Sequence, residues 1–184
     1  AEAMLQKTSG KLSFLATYAL AWSWRQFDDI NNGKRFPYKY DRRHSINMGV
    51  GYKLIPRLEI SALWTFATGD AFTLPDFIYP DFDQVQRITT PGDSAKNGQY
   101  LQSYLHYNNH RGPHYQRLDA AISFYTQKDK NKGLMITAGV YNLLRSADQY
   151  LFEIKNIQGS GNQILESGYK TFDITPYVSL TFKF

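Results

Sequence analysis

At residues 58–67 (LEISALWTFA) the side chains Leu58, Ile60, Ala62, Trp64 and Phe66 alternate with Glu59, Ser61, Leu63, Thr65 and Ala67. Successive side chains of an extended chain point to opposite faces, so this period of two dictates a strand with one face of large apolar groups. The pattern recurs along the chain. Leu12, Phe14, Ala16, Tyr18, Leu20, Trp22 and Trp24 alternate with Ser13, Leu15, Thr17, Ala19, Ala21, Ser23 and Arg25. Ile46, Met48, Val50, Tyr52 and Leu54 alternate with Ser45, Asn47, Gly49, Gly51 and Lys53. The same split appears at Leu118, Ala120, Ile122 and Phe124, at Leu134, Ile136, Ala138 and Val140, and at Val178, Leu180, Phe182 and Phe184. Residues 1–7 read as the end of a seventh strand, because the Ser-Gly at 9–10 marks a tight turn. No stretch with a helical period competes with these strands.

The connections alternate in length. Ile-Pro-Arg at 55–57 and Lys-Asp-Lys-Asn-Lys-Gly at 128–133 are short, whereas residues 28–42, 69–116 and 146–174 form long connections. The longest carries Pro75, Pro80, Pro91 and Pro113 and shows little periodicity. Such a connection is uncommon in a compact soluble domain but ordinary in an outer-membrane barrel, whose periplasmic turns are short and whose external loops are long. A soluble sandwich or lipocalin-like barrel also alternates, with a wet face of Lys, Glu and Thr. Here the odd-numbered face is Ser, Gly, Ala, Asn and Thr with few charges at mid-strand, which suits a crowded lumen. Trp22, Trp24, Trp64 and Phe66 stand on the even face beside the long connections, where a lipid-interface belt belongs.

Composition agrees without deciding. Aromatic residues make up 16% of the 184 residues, a bias that favours β-structure. The mean hydropathy of −0.47 leaves a soluble protein open. No run approaches the roughly 18 consecutive apolar residues of a membrane helix. There is no cysteine, which excludes disulfides, thiolate metal sites and a cysteine nucleophile. The net charge of +5 permits acidic partners and demands none. The fold expected is an all-β, antiparallel transmembrane β-barrel segment of about six strands with long extracellular loops.

Four segments, in order along the chain, carry a resemblance. They are FPYKYDRRHSINMGVGYKL at 36–54, WTFATGDAFTLP at 64–75, YNNHRGPHYQRLDAAIS at 107–123 and GVYNLLRSADQY at 139–150. Together they resemble the C-terminal part of TonB-dependent outer-membrane receptors of the Bacteroidota type, and the terminal Phe184 is similar as well. Such receptors have about 22 strands around a plug, and the resemblance implies that this chain is the last part of that wall. The plug and the TonB-binding segment have no counterpart in it, so the remaining barrel and plug segments are the expected partners, with TonB reached through the missing N-terminal part. A surface lipoprotein is a further expected partner. The implied location is the outer membrane of a Gram-negative bacterium, and the implied function is import of a scarce nutrient (glycan, peptide, siderophore or vitamin). A structural or assembly-partner barrel without transport is the alternative. The resemblance also implies that Tyr177, Phe182 and Phe184 form the signal read by the barrel-assembly machinery, with Ser179 standing where a Gly is often found.

Candidate site residues follow from parity. Asp41 and Arg43 share the lumen-facing parity of the 45–54 strand, and Arg117 and Asp119 that of the 117–124 strand. They read as ion pairs holding the wall, with a substrate path as the other reading. Lys34, Arg35, Lys39 and Arg42 lie in the first external hairpin, where lipopolysaccharide phosphates are candidate partners. His106, His110 and His114 have helical metal-site spacing, but Gly112 and Pro113 break any helix there, so no metal is expected. Asp28, Asp29, Asp70, Asp76, Asp81 and Asp83 lie in loops without a calcium-loop spacing and read as solvated. Gly-Ser-Gly at 159–161 lacks the strand–helix context of a phosphate loop. No enzyme activity, cofactor or nucleic-acid partner is expected.

Overall fold

The computed structural model describes residues 1–80, 100–127, 132–146, 151–156, 163–168 and 173–184. Asp81, Asp83, Pro91, most of the 128–133 turn and Gly-Ser-Gly at 159–161 lie outside the described residues. Seven strands form one sheet: β1 (Glu2–Lys7), β2 (Leu12–Leu20), β3 (His44–Ile55), β4 (Leu58–Ala67), β5 (Tyr115–Tyr125), β6 (Gly133–Tyr141) and β7 (Thr175–Lys183). Their order in the sheet is their order in the chain, and every neighbouring pair is antiparallel. Among the described residues the only helical element is the 3-10 turn Asn31–Gly33. β1 and β7 pair on one side only, so the sheet is open and these strands do not close a barrel.

The register keeps the two faces apart across the whole sheet. Leu12, Tyr52, Ile60, Ile122, Ala138 and Val178 stand in one row, and Phe14, Val50, Ala62, Ala120, Val140 and Pro176 in the next. On the opposite face Ser13, Gly51, Ser61, Ala121, Gly139 and Tyr177 form a row, and Thr17, Asn47, Thr65 and Arg117 another. A slip of one residue in any strand would exchange its faces, so the alternation sets the register. Polar groups on the second face meet across strands. Asn47 Nδ2 donates to Thr17 Oγ1 at 3.4 Å, and the Ser123 and Thr137 hydroxyls lie 2.9 Å apart. Gly139 makes room for the Tyr177 ring, since a Cβ there would lie 2.6 Å from it. That space lets Tyr177 stack on Tyr141 with ring centroids 4.4 Å apart.

Among the described residues the sheet lacks the core of an ordinary domain. Val178 is 73% exposed, Leu180 67% and Phe182 66%, and Met48, Val50, Tyr52, Ile60, Ile122 and Phe124 on that face are exposed too. A soluble sheet would bury one face against a second layer. Among the described residues the buried apolar side chains are Phe36, Ala67, Ala71 and Pro75, all at the end of the sheet that carries the long connections. The short connections, which join β1 to β2, β3 to β4 and β5 to β6, leave the strands at the other end. Gly10 (φ +84°) and Gly133 (φ +88°) supply there the left-handed backbone that tight turns demand. The 12–25 stretch does not run as one strand. β2 stops at Leu20 because the Ser23 amide is captured by the Asp41 carboxylate at 2.6 Å, an example of a side chain competing with the ladder. Trp22 and Trp24 therefore stand beyond the strand, and Trp24–Arg25 pairs with Phe36–Pro37 in a separate ribbon.

Candidate functional site

Two clusters of polar side chains occupy the end of the sheet with the long connections. The first lies on the polar face of β5. Arg117 and Asp119 are two apart on one strand, hence on the same face. Arg117 Nε donates to Asp119 Oδ1 at 2.8 Å and Arg117 Nη2 to Oδ2 at 2.6 Å, a two-point pair. Asp119 Oδ1 also accepts the Asn142 amide at 2.9 Å. Asn142 is buried, has φ +54°, and exchanges two hydrogen bonds with the Ser146 backbone. Asp119 thus fixes the point where β6 turns into its long connection. The Arg117 guanidinium lies 5.4 Å from the Tyr141 ring centroid, which joins the ion pair to the Tyr141–Tyr177 stack.

The second cluster ties two long connections, β2–β3 and β4–β5, together above the sheet. Asp41 is 2% exposed. Its carboxylate accepts Ser23 N and a charged hydrogen bond from Arg111, and its carbonyl accepts Arg111 Nη1 at 2.5 Å. Arg111 Nη1 also reaches Gly69 O at 3.3 Å, and Arg43 Nε stands 3.8 Å from the same carboxylate. The parity argument placed Asp41 on the face of β3. The structure puts it in the turn before that strand, with Arg43 beside it and Arg111 over it. Arg42 belongs to a different pair, with both carboxylate oxygens of Asp70 at 2.7 and 3.1 Å. Asn108 (φ +50°) donates to Pro37 O at 2.7 Å, and Asn109 and Leu74 exchange side-chain-to-backbone bonds. Phe36 packs between the rings of Phe27 and Tyr107, each about 6.2 Å away.

The three histidines are not brought together. His106 bonds Asp76, His110 stacks on Phe72 across a two-residue ribbon, and His114 lies against Phe66. Among the described residues no group of three His, Cys, Asp or Glu side chains could hold a metal ion. Trp22 and Trp24 are 56% and 44% exposed, and Trp64 packs against Phe66 on the apolar face. Phe182 lies on that face opposite Leu134, whereas Tyr177 lies on the polar face. Phe184, beyond the last paired residue, lies tilted against Phe182 with ring centroids 5.8 Å apart.

Asp76 forms a smaller latch. Its carboxylate accepts the Leu105 and His106 amides at 2.6 and 2.9 Å and faces the His106 ring nitrogen at 2.8 Å. The ring contact chiefly holds the Asp76 pKa down at about 2, against a usual 3.8; burial opposes this and the two amides add to it. A depressed carboxylate pKa contributes stability that is complete above the unfolded value and is lost as pH falls through the folded value. The Leu105 and His106 amides should stay protected from hydrogen exchange down to about pH 4 and open as pH approaches about 2. Asp76→Asn should abolish that pH dependence, and a flat profile in the unmodified protein would contradict it.

No family model, curated protein or solved structure matches this chain.

Proposed function

We propose that this chain forms part of the wall of an outer-membrane β-barrel of the TonB-dependent receptor kind, acting in nutrient import across the outer membrane of a Gram-negative bacterium. The observation that carries the reading is the two-sided sheet: large apolar groups exposed on one face, small and hydrogen-bonded polar groups on the other, with short turns at one end and tied long connections at the other. Strands β2 to β7 have 9, 12, 10, 11, 9 and 9 residues, which suits crossing hydrocarbon at a tilt. On this reading the apolar face meets lipid and the polar face lines the lumen. Leu15 and Leu63, exposed on the polar face to either side of Gly49, are the natural contact for a plug. The Asp41–Arg111 cluster holds the external connections over the mouth. The chain would do no covalent chemistry; import would proceed by binding, then plug movement driven through TonB. Recovery of TonB with the native protein would separate a transporter from a barrel that only assembles partners.

Open sheet edges cannot persist in hydrocarbon, where each unpaired backbone group costs several kcal/mol. β1 and β7 must then be paired by further strands, from the same polypeptide or from a partner. A photo-reactive residue at Thr181, on the outer edge of β7, should in native membranes capture one discrete site on such a strand. Capture of lipid alone would contradict the wall reading.

A further inference from the structure

Two of the long connections face each other across a cleft of about 280 Å³, with residues 29–32 on one wall and residues 104–107 on the other. That size lies at the lower end of small-molecule sites. The fold itself holds the walls in place. Asn31 Oδ1 accepts the Tyr107 amide at 2.7 Å, a bond from one wall to the other between residues 76 apart in the chain. Asn31, Asn32 and Gly33 all take positive φ, and the Gly33 and Lys34 amides turn back on Ile30 O and Asn31 O at 3.1 Å. On the second wall Asp76 holds the Leu105 and His106 amides, and the Tyr107 ring lies 6.2 Å from the ring of buried Phe36.

The groups left over in the cleft are of a particular kind. His106 Nδ1 is taken by Asp76 at 2.8 Å, which leaves Nε2 as the free ring nitrogen. Among the described residues the Asp29 carboxylate and the Asn32 side-chain amide have no hydrogen-bond or ion-pair partner. Tyr104 and Tyr107 are each 45% exposed, and Ile30 and Leu105 add apolar surface between the polar groups. Among the described residues no Lys or Arg lines the cleft, so an anionic ligand would meet Asp29 without a counter-charge. An exposed carboxylate offers a cation only a weak attraction that salt screens, so an ammonium gains little there. A neutral ring with closely spaced hydroxyls on its edge and C–H groups on its face uses every group present. The hydroxyls donate to the carboxylate and exchange hydrogen bonds with amide and imidazole, while the C–H face covers the aromatic and aliphatic surface.

We propose that this cleft binds one neutral sugar ring of an incoming glycan, with Asp29, Asn32 and His106 as its hydroxyl ligands and the exposed tyrosines as its apolar wall. The assignment rests on the wall reading, which sets the cleft among the external connections. It selects the glycan from the cargo classes that the sequence resemblance leaves open.

The test uses the protein in its native assembly, extracted in mild detergent, with binding titrated by saturation-transfer NMR. The probes are the methyl glycosides of glucose, galactose and mannose, the corresponding uronates as anionic forms of the same rings, and butylammonium as a simple cation. At least one neutral glycoside should bind, and more tightly than its own uronate or butylammonium. D29A/N32A should weaken that binding by about tenfold or more, because it removes a charged and a neutral hydrogen-bonding group. Asp28→Ala, beside the cleft but outside its lining, should leave binding unchanged. Silence from all the neutral glycosides overturns the proposal, as does tighter binding of a uronate or of butylammonium, or undiminished binding by D29A/N32A. If the double variant fails to insert, the comparison of glycoside with uronate on the unmodified protein decides alone. Heat-dependent electrophoretic migration of the same preparation reports the barrel separately. Its absence sinks the wall reading, whereas a heat-shifted protein indifferent to the glycosides sinks only the site.

Discussion

Asp41→Ala should loosen the tied connections above the sheet by about 3–5 kcal/mol, the usual cost of removing one partner from a buried charged pair. The Asp41 side chain is 1% exposed and that of Arg111 28%. Removing the carboxylate leaves the Arg111 guanidinium with only carbonyl acceptors, Arg43 without its nearest anion, and the Ser23 amide without its acceptor. The two connections then lose their common anchor. Hydrogen exchange at the Ser23 and Ala71 amides should accelerate by about two to three orders of magnitude, while mid-strand amides of β4 and β5 keep their protection. Asp41→Asn keeps an acceptor for Ser23 and should cost less, about 1–3 kcal/mol. A change below about 1 kcal/mol for Asp41→Ala would mean that the pair behaves as a solvated surface pair and that the connections are held elsewhere.

Ile122→Arg should destabilise the inserted protein by about 2–4 kcal/mol, and Ser123→Arg by only about 1. The two residues are adjacent in the second half of β5 and point to opposite faces. Ile122 stands between Ile60 and Ala138 on the apolar face, so on the proposed wall reading an arginine there would meet hydrocarbon. Ser123 faces the other way, opposite Glu59 and Thr137, so its replacement forfeits one hydroxyl contact and gains a carboxylate neighbour. The contrast discriminates sharply because Ile122 is already 42% exposed. On a water-facing surface an arginine at such a position would change stability by no more than about 0.5 kcal/mol. Equilibrium unfolding from lipid vesicles would measure the difference, and equal small effects at both positions would point to water on both faces.

The strands of this protein are legible in its sequence because they are amphipathic in the simplest sense. A period of two is a local property, and from Leu12 to Phe182 most of the large apolar residues hold the even positions, Leu15, Leu63 and Tyr177 being among the exceptions. The open edges, the asymmetry of turns and the face of each strand follow from the same pattern. The boundary at Leu20 was not legible, because a distant carboxylate ends the strand there while the alternation continues to Trp24. Asp41 and Arg43 were legible as a pair. Arg111, which completes their cluster, was not, since it lies 70 residues away in a segment without period. The asparagines at the loop entries offered the one local signal that could have been read. Asn31, Asn32, Asn108 and Asn142 all take positive φ, a conformation that Asn tolerates better than most residues. Asn31, Asn108 and Asn142 each stand where the chain bends and tie a connection through side chain or backbone.

A nitroxide scan along β4 tests most directly the claim that one face of this sheet meets lipid and the other a lumen. Single labels would be placed from Glu59 to Thr65 in the protein as it sits in its membrane, and relaxation by oxygen dissolved in lipid would be compared with relaxation by a water-soluble paramagnetic chelate. The account predicts that labels at Ile60, Ala62 and Trp64 respond to oxygen, that labels at Glu59, Ser61, Leu63 and Thr65 do not, and that chelate access, where any exists, is confined to the odd set. A scan with no period of two, or one in which the even positions meet the chelate, would contradict it.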